Sequence, residues 1–411
     1  MRNKTPIPIG WEEMSLKELG DFKNGVNKAK EDFGFGKPFV NLMDIFGKPY
    51  LKNQHFSLVN VTVDEILNYD LKEGDVLFVR SSVKPEGVGL TTLIEEDLPQ
   101  TVYSGFIIRF REKGTKLTYK YKKYCFNSPL FRKRLIAKSS ISANTNINQG
   151  ALNTLTIIFP SRQEQEKIVE VLETWDSYLE KLIDTIKCKK AIKKDLMHKL
   201  LEGKMRVPGF SKRWELKPLS FYINLTLRPV SKPDTNFMAL GIRSHCKGTF
   251  QKRDFDPNKI AMDILYKAQK DDLIVNITFA WEGAIAIVKQ EDSGGLVSHR
   301  FPTYVFKKNI GCAAYFRQFI QTKRLRHLLK LISPGGAGRN RVMSKKDFLN
   351  LKVQIPDYEE QVVIAQILTI ADQEIEALEK KRTLIEEQKR FLLNSMITGE
   401  LRLPEFTKIS N

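Results

Sequence analysis

The stretch Pro160-Ser161-Arg162-Gln163-Glu164-Gln165-Glu166-Lys167-Ile168 returns 196 residues later, without a gap, as Pro356-Asp357-Tyr358-Glu359-Glu360-Gln361-Val362-Val363-Ile364. Followed at the same offset from 160 to 210, the two copies are identical at 14 of 51 positions, far more than unrelated segments share. The identities include Glu164/Glu360, Gln165/Gln361, Leu172/Leu368, Asp176/Asp372, Lys193/Lys389, Gly203/Gly399, Arg206/Arg402 and Phe210/Phe406. A repeat of this length decides the architecture, so it is read first. Upstream it weakens: Glu86-Gly87-Val88 pairs with Glu282-Gly283-Ala284, and Trp11 and Trp214 each open a half. The chain reads as variable unit, similar helix, variable unit, similar helix.

Within the first copy, apolar residues recur at 168, 172, 175, 179, 182 and 186, then at 196 and 200, with Lys189 and Lys193 interrupting. The second copy repeats the pattern, interrupted by Arg382 and Lys389. The 3-4 alternation is a heptad seam. Each copy begins after a proline and ends at a glycine, the usual helix punctuation. About 40 residues at 1.5 Å each make roughly 60 Å of rod. The second helix must bury its own seam, and packing back along the first makes the pair antiparallel. The expected fold is α+β: two globular α/β units separated by two long antiparallel coiled-coil helices, in a pseudo-twofold arrangement that is cyclic in space. The expected boundaries are 1–160 for the first unit, 161–204 for its helix, 205–355 for the second unit, 356–400 for its helix and 401–411 for a tail. Because Leu401-Arg402-Leu403-Pro404-Glu405-Phe406 repeats Met205-Arg206-Val207-Pro208-Gly209-Phe210, the tail is expected beside the N-terminus, with Leu403 and Phe406 buried.

The chain has 411 residues, 42% of them hydrophobic and 28% charged, which excludes wholesale disorder. No apolar run is long enough to span a membrane, and no apolar stretch follows the N-terminus as in a secretory signal. Cys125, Cys188, Cys246 and Cys312 stand in no metal-ligand spacing and read as reduced thiols, so the expected location is the cytoplasm. Lys and Arg number 67 against 48 Asp and Glu, a net charge of +19. Such an excess favours a polyanionic partner, nucleic acid above all, although solubility alone also selects charge. Residues 211–355 hold 26 basic and 11 acidic side chains, whereas residues 356–411 hold 7 and 11. Nucleic acid should therefore meet the globular units, and the helices should meet protein.

Inside the units, Gly74 to Arg80 is a turn entering a buried strand, followed by the polar loop Ser81 to Gly87. Each unit ends in a polar loop, Ser139 to Asn146 and Gly335 to Arg341. Arg and Asn carry the side-chain forks that read guanine and adenine edges, while Lys mostly grips phosphate. The candidate DNA-binding residues are Arg80, Ser82, Lys84, Asn144, Asn146, Arg243, Lys247, Asn276, Trp281, Arg300, Arg339 and Arg341; for any one of them a solvated turn is the competing reading. Catalytic motifs are missing from the sequence: no adjacent prolines of a methyltransferase motif, no phosphate-binding Gly-x-x-x-x-Gly-Lys-Ser/Thr loop, no histidine cluster. Neither a catalytic nor a metal-binding residue is expected.

Taken together, these features resemble the specificity subunit of type I restriction–modification systems. Gln149 to Leu155, through Pro160 to Glu164-Gln165-Glu166-Lys167-Ile168, looks like that family's entry into its helix, and so does Lys346 to Leu351 through Pro356 to Glu359-Glu360-Gln361. Asn276, Ala280-Trp281-Glu282-Gly283-Ala284 and Tyr304-Val305-Phe306 resemble strand motifs of its recognition domains. Ser161-Arg162-Gln163 departs from the proline- and leucine-rich entry usual there. The resemblance implies a non-catalytic subunit with two target-recognition domains, each reading half of a bipartite double-stranded DNA target. The helices would act as a ruler and as docking surface for two methylation subunits, with restriction subunits as motor-nuclease partners. S-adenosylmethionine, ATP and Mg2+ would belong to those partners, and this subunit would need no cofactor. Two rivals are a fused restriction–methylation enzyme, disfavoured by the missing motifs, and a coiled-coil scaffold or other nucleic-acid-binding protein outside restriction.

Overall fold

The computed structural model describes residues 7–141, 144–333, 335 and 341–407. Two continuous 40-residue helices, Arg162–Leu201 and Tyr358–Ile397, occupy the duplicated segments. Each closes on a left-handed glycine, Gly203 (φ 70°) and Gly399 (φ 71°). Trp214 packs over the first glycine and Trp11 over the second, so a Cβ there would meet an indole as well as a strained backbone.

The chain divides into two compact units. One comprises residues 1–183 and 380–411, the other residues 184–379. Each unit thus contains the start of one long helix and the end of the other. In the first unit the halves are joined by Asp176, which accepts from Lys389 on the second helix and from Lys123 (2.6 Å) and Tyr124 (2.7 Å) on the short helix Tyr119–Cys125. In the second unit Asp372 accepts from Lys193 and from Gln318 Nε2 (2.9 Å) on the short helix Ala313–Phe319. Lys189 reaches Glu374 at 2.6 Å. Three of the four charges that interrupt the seam are therefore cross-helix ion pairs. Arg382 instead pairs along its own helix with Glu386.

Three further repeat identities are clamps as well. Gln165 is fully buried: its amide donates to Pro160 O (2.9 Å) and Lys116 O (2.8 Å), and it accepts from Thr118 N (2.7 Å). Gln361 does the same with Pro356 O, Ile310 O and Cys312 N. A buried amide with its hydrogen bonds satisfied locks the helix entry to the loop it crosses, where an unsatisfied one would cost stability. Glu164 and Glu360, both 2% exposed, receive the guanidinium forks of Arg402 and Arg206. Arg402 also donates to Ile9 O (3.0 Å), so the chain after Gly399 lies against the first residues described. Leu403 packs on the core of that unit but is only half-buried, as are Phe406 and Arg402 itself.

Both units are built on mixed, mainly antiparallel sheet, with Tyr50–Leu51 parallel to Thr91–Ile94 in the first and Phe237–Ile242 parallel to Leu296–Val297 in the second. In the first, Ile107–Glu112 lies between Gly20–Asn24 and Val76–Val79, and Thr91–Ile94 and Tyr50–Leu51 complete five strands. Val76 to Val79 is buried at all four positions, which explains its unbroken apolar run. In the second unit Thr303–Phe306 and Leu273–Val275 centre a four-stranded sheet, and a separate five-stranded sheet carries the hairpin Phe237–Ile242/Thr249–Phe255. In each unit a strand pair, Glu12–Ser15 with Thr156–Phe159 and Leu216–Pro218 with Lys352–Gln354, delivers the chain to its helix. One local expectation is corrected: residues 280–284 are not strand. Ala280–Glu282 is a single 3-10 turn closed by left-handed Gly283, after the strand Leu273–Val275 has ended.

Candidate nucleic-acid interface

In the first unit the polar loops become a small sheet. Ser81–Ser82 pairs with Thr145–Asn146, which pairs with Ser140–Ile141. Backbone pairing fixes the loops, and it brings Ser82, Asn144 and Asn146 together. Asn144 is exposed, and its carbonyl accepts from Asn146 Nδ2 (2.9 Å). Lys84 is exposed beyond Ser82, whose Oγ accepts from Lys84 N (3.3 Å). Arg80 is half-buried and donates to Gly105 O (3.1 Å), so it also braces the neighbouring turn.

Behind this face stands a residue that the sequence did not single out. Arg132, on the helix Pro129–Ala137, donates to Glu86 O (2.8 Å), which ties that helix to the loop 81–87. No carboxylate pairs with it among the described residues, and burial lowers its guanidinium to about 10. Lys133 and Arg134 beside it are exposed. The signal was legible in principle: Pro129-Leu130-Phe131-Arg132-Lys133-Arg134 carries three consecutive cations and no acid.

In the second unit the turn of the hairpin, Arg243 to Gly248, is buckled onto the 3-10 turn. His245 N donates to Glu282 O and Cys246 N to Gly283 O, both at 2.8 Å, with both donor residues in the left-handed region. Arg243 and Lys247 are exposed on it, and the Arg243 guanidinium lies 5.5 Å from the Phe250 ring centre. Asn276 is half-buried at the strand end, its Oδ1 accepting from Thr278 N (3.0 Å). Ile277 N donates to Arg300 O, which places exposed Arg300 beside it. Trp281 lies under the Arg341 guanidinium at 5.1 Å, and Arg341 Nε donates to Gly335 O (2.7 Å). Arg243, Asn276, Trp281, Arg300 and Arg341 thus belong to one connected region, with Lys247 at its hairpin tip. Arg339 lies outside the described residues.

Both faces combine hydroxyl, amide and guanidinium groups that can bind phosphates and base edges. Among the described residues no group of three or more His, Cys, Asp or Glu side chains could hold a metal ion. No helix there is long and apolar enough to cross a membrane.

The family model described as the type I restriction modification DNA specificity domain matches this chain twice, over residues 8–191 and 249–387. Two curated relatives from Methanocaldococcus jannaschii are similar over almost the whole chain. The putative type I restriction enzyme MjaX specificity subunit is 24% identical, covering 97% of this chain and 95% of its own length. The MjaVIII specificity subunit is 21% identical, covering 97% and 94%. Among solved structures, the HsdS subunit from Thermoanaerobacter tengcongensis is similar with a TM-score of 0.54 at 16% identity, covering 97% of this chain and 99% of that one. The type I restriction–modification S subunit from M. genitalium is similar at 0.53 and 15%, covering 96% and 98%. At that identity the structures speak for the fold alone.

Proposed function

The chain belongs to the type I restriction–modification DNA specificity family, and from that premise we propose that each of its units reads one half of a bipartite duplex target. Its role is to recognise DNA sequence within a restriction–modification system, and it is not itself a catalytic subunit. The observation that carries the proposal is the double match of the family model to a chain with two separate polar faces, each on its own unit behind the same duplicated helix clamps. Phosphate contacts from Lys84 and Lys247 would position the duplex. Asn144, Asn146, Arg243, Asn276 and Arg300 would supply base-edge contacts, with Ser82, Trp281, Arg341 and Arg339 as further candidates. Arg80 and Arg132 would hold the first face in shape.

The partners in this proposal are two methylation subunits and, beyond them, restriction subunits. The methylation subunits would bring S-adenosylmethionine to an adenine that must leave the base stack to react. ATP and Mg2+ would serve the restriction subunits. The paired helices would offer docking surface and set the number of base pairs between half-sites.

The test is to express the chain with its methylation partners and read the methylated motif across the host genome. The expected result is one bipartite motif with a fixed, sequence-independent gap. A continuous motif, or methylation without sequence preference, would overturn the proposal.

A further inference from the structure

The concave face of the second unit's hairpin encloses a cavity of about 480 Å3. That lies within the roughly 300–1,000 Å3 range of small-molecule sites. Its lining is aromatic: Phe237, Phe250 and Phe255 from the hairpin, Phe279 and Phe301 from the facing loops. Phe237 and Phe255 meet edge to face at 5.6 Å. Phe250 packs its ring directly on the bare Cα of its cross-strand partner Gly241, where a Cβ would come within 2.3 Å of it, so glycine there is what lets the ring lie flat on the hairpin at the cavity wall. The hairpin rings are also flanked by cations: Arg243 is 5.5 Å from Phe250, and Lys252 is 6.0 Å from Phe250 and 5.8 Å from Phe255. Polar groups enter from one edge. Asn276 and Glu282 line the cavity, and Glu282 Oε2 accepts from Ser244 Oγ at 2.8 Å. Among the described residues Glu282 is the one carboxylate of its lining, and the rest is neutral or basic.

We propose that this cavity captures a single unstacked nucleobase that carries its exocyclic amino group on the major-groove edge, adenine or cytosine, where guanine and thymine present a carbonyl. The inference rests on the reading of the chain as a DNA-binding subunit. Aromatic side chains interleaved with cations are the arrangement by which proteins hold unpaired bases, since every base offers a π-face and every nucleotide a phosphate. The rings take the base and Lys252 and Arg243 neutralise its backbone. The polar edge discriminates: a carboxylate accepts from an amino group but repels a carbonyl oxygen, and the Asn276 amide both donates and accepts. The cavity belongs to the same region as Asn276, Arg243 and Arg300, so a base displaced from a duplex held on that face has a short path to it.

Binding of the full chain is measured to short duplexes that are fully paired, or that carry one bulged adenine, cytosine or thymine. Bulged adenine and cytosine are expected to bind about tenfold tighter than the paired duplex, the worth of one base–aromatic stack. Bulged thymine is expected to show little of that gain. Phe250→Ala should abolish the gain and Phe250→Tyr should keep it, which separates stacking from misfolding. Glu282→Gln should let bulged thymine bind as well as adenine. Equal binding of bulged and paired duplexes, or a gain that survives Phe250→Ala, would overturn the proposal. Loss of preference for target over non-target duplex, with the bulge gain intact, would sink the specificity reading and leave the cavity's role standing.

Discussion

Asp176 holds two ammonium groups and a phenol on one carboxylate. Burial pushes its carboxyl up, but hydrogen bonds from Lys123, Lys389 and Tyr124 outweigh that and hold it below its ordinary value. A carboxyl lowered in the folded state adds stability that is fully present above its unfolded value of about 3.9 and is lost as pH falls through the lowered one. Asp176→Asn should therefore cost the first unit roughly 2–3 kcal/mol at pH 7, because it leaves two partly buried cations uncompensated. In calorimetry the gap to the parent protein should close as pH falls below about 4. A gap that stayed constant with pH would refute the ion-pair account. The Glu164–Arg402 fork admits a similar test: a double-mutant cycle with Glu164→Gln and Arg402→Ala should give a coupling of about 1–3 kcal/mol. Additive effects would show that the Glu164–Arg402 fork does not hold the residues after Gly399 in place. Sequence marked Glu164, Asp176, Lys193, Lys389 and Arg402 as repeated, yet it could not say what they do. Each one's partner lies in the other copy, and the lysines read locally as defects in an apolar seam.

Among the elements, the long helices were the most legible, because 3.6-residue periodicity over about eleven turns accumulates a signal that no single turn carries. The strand Thr249–Phe255 was least so. Thr-Phe-Gln-Lys-Arg-Asp-Phe shows no clean alternation, since as an edge strand it keeps two rings on the cavity and its cations in solvent. Lys247 at the tip of the same hairpin is exposed and pairs with no acid among the described residues, as expected of a phosphate contact. Lys247→Ala should reduce the slope of log K against log salt by about 1 and leave the recognised sequence unchanged. An altered sequence preference would make it a base reader. For the helices, a heptad inserted into both, after Ile183 and after Glu379, keeps the seam in phase and adds roughly 10 Å of helix. At about 3.4 Å per base pair the preferred gap between half-sites should grow by about three base pairs. An unchanged gap would deny the helices their measuring role.

For the whole molecule, the duplication made two units and two helices readable, but the division of the chain between the units was harder to see. Residues 380–411 belong with residues 1–183, across nearly two hundred intervening positions. Only the tail's repeat of 205–210 hinted at this, because contacts between distant segments leave no periodic trace. Modularity at this scale predicts that replacing residues 12–159 with those of another family member changes one half-site of the methylated motif and spares the other. A change in both would mean that the units do not read independently. The same division governs how the protein is made. The second unit, 184–379, is a single stretch and is complete as soon as it leaves the ribosome. The first unit has emerged earlier but waits for Met396 and Ile397, which belong to the same core as Trp11, Ile168 and Leu172. At roughly 5–20 residues per second that wait lasts on the order of 10–40 s. The half of the protein that is translated first is therefore the last to be completed, and a nascent chain interrupted anywhere in that interval leaves an unfinished apolar surface open to chaperones and proteases.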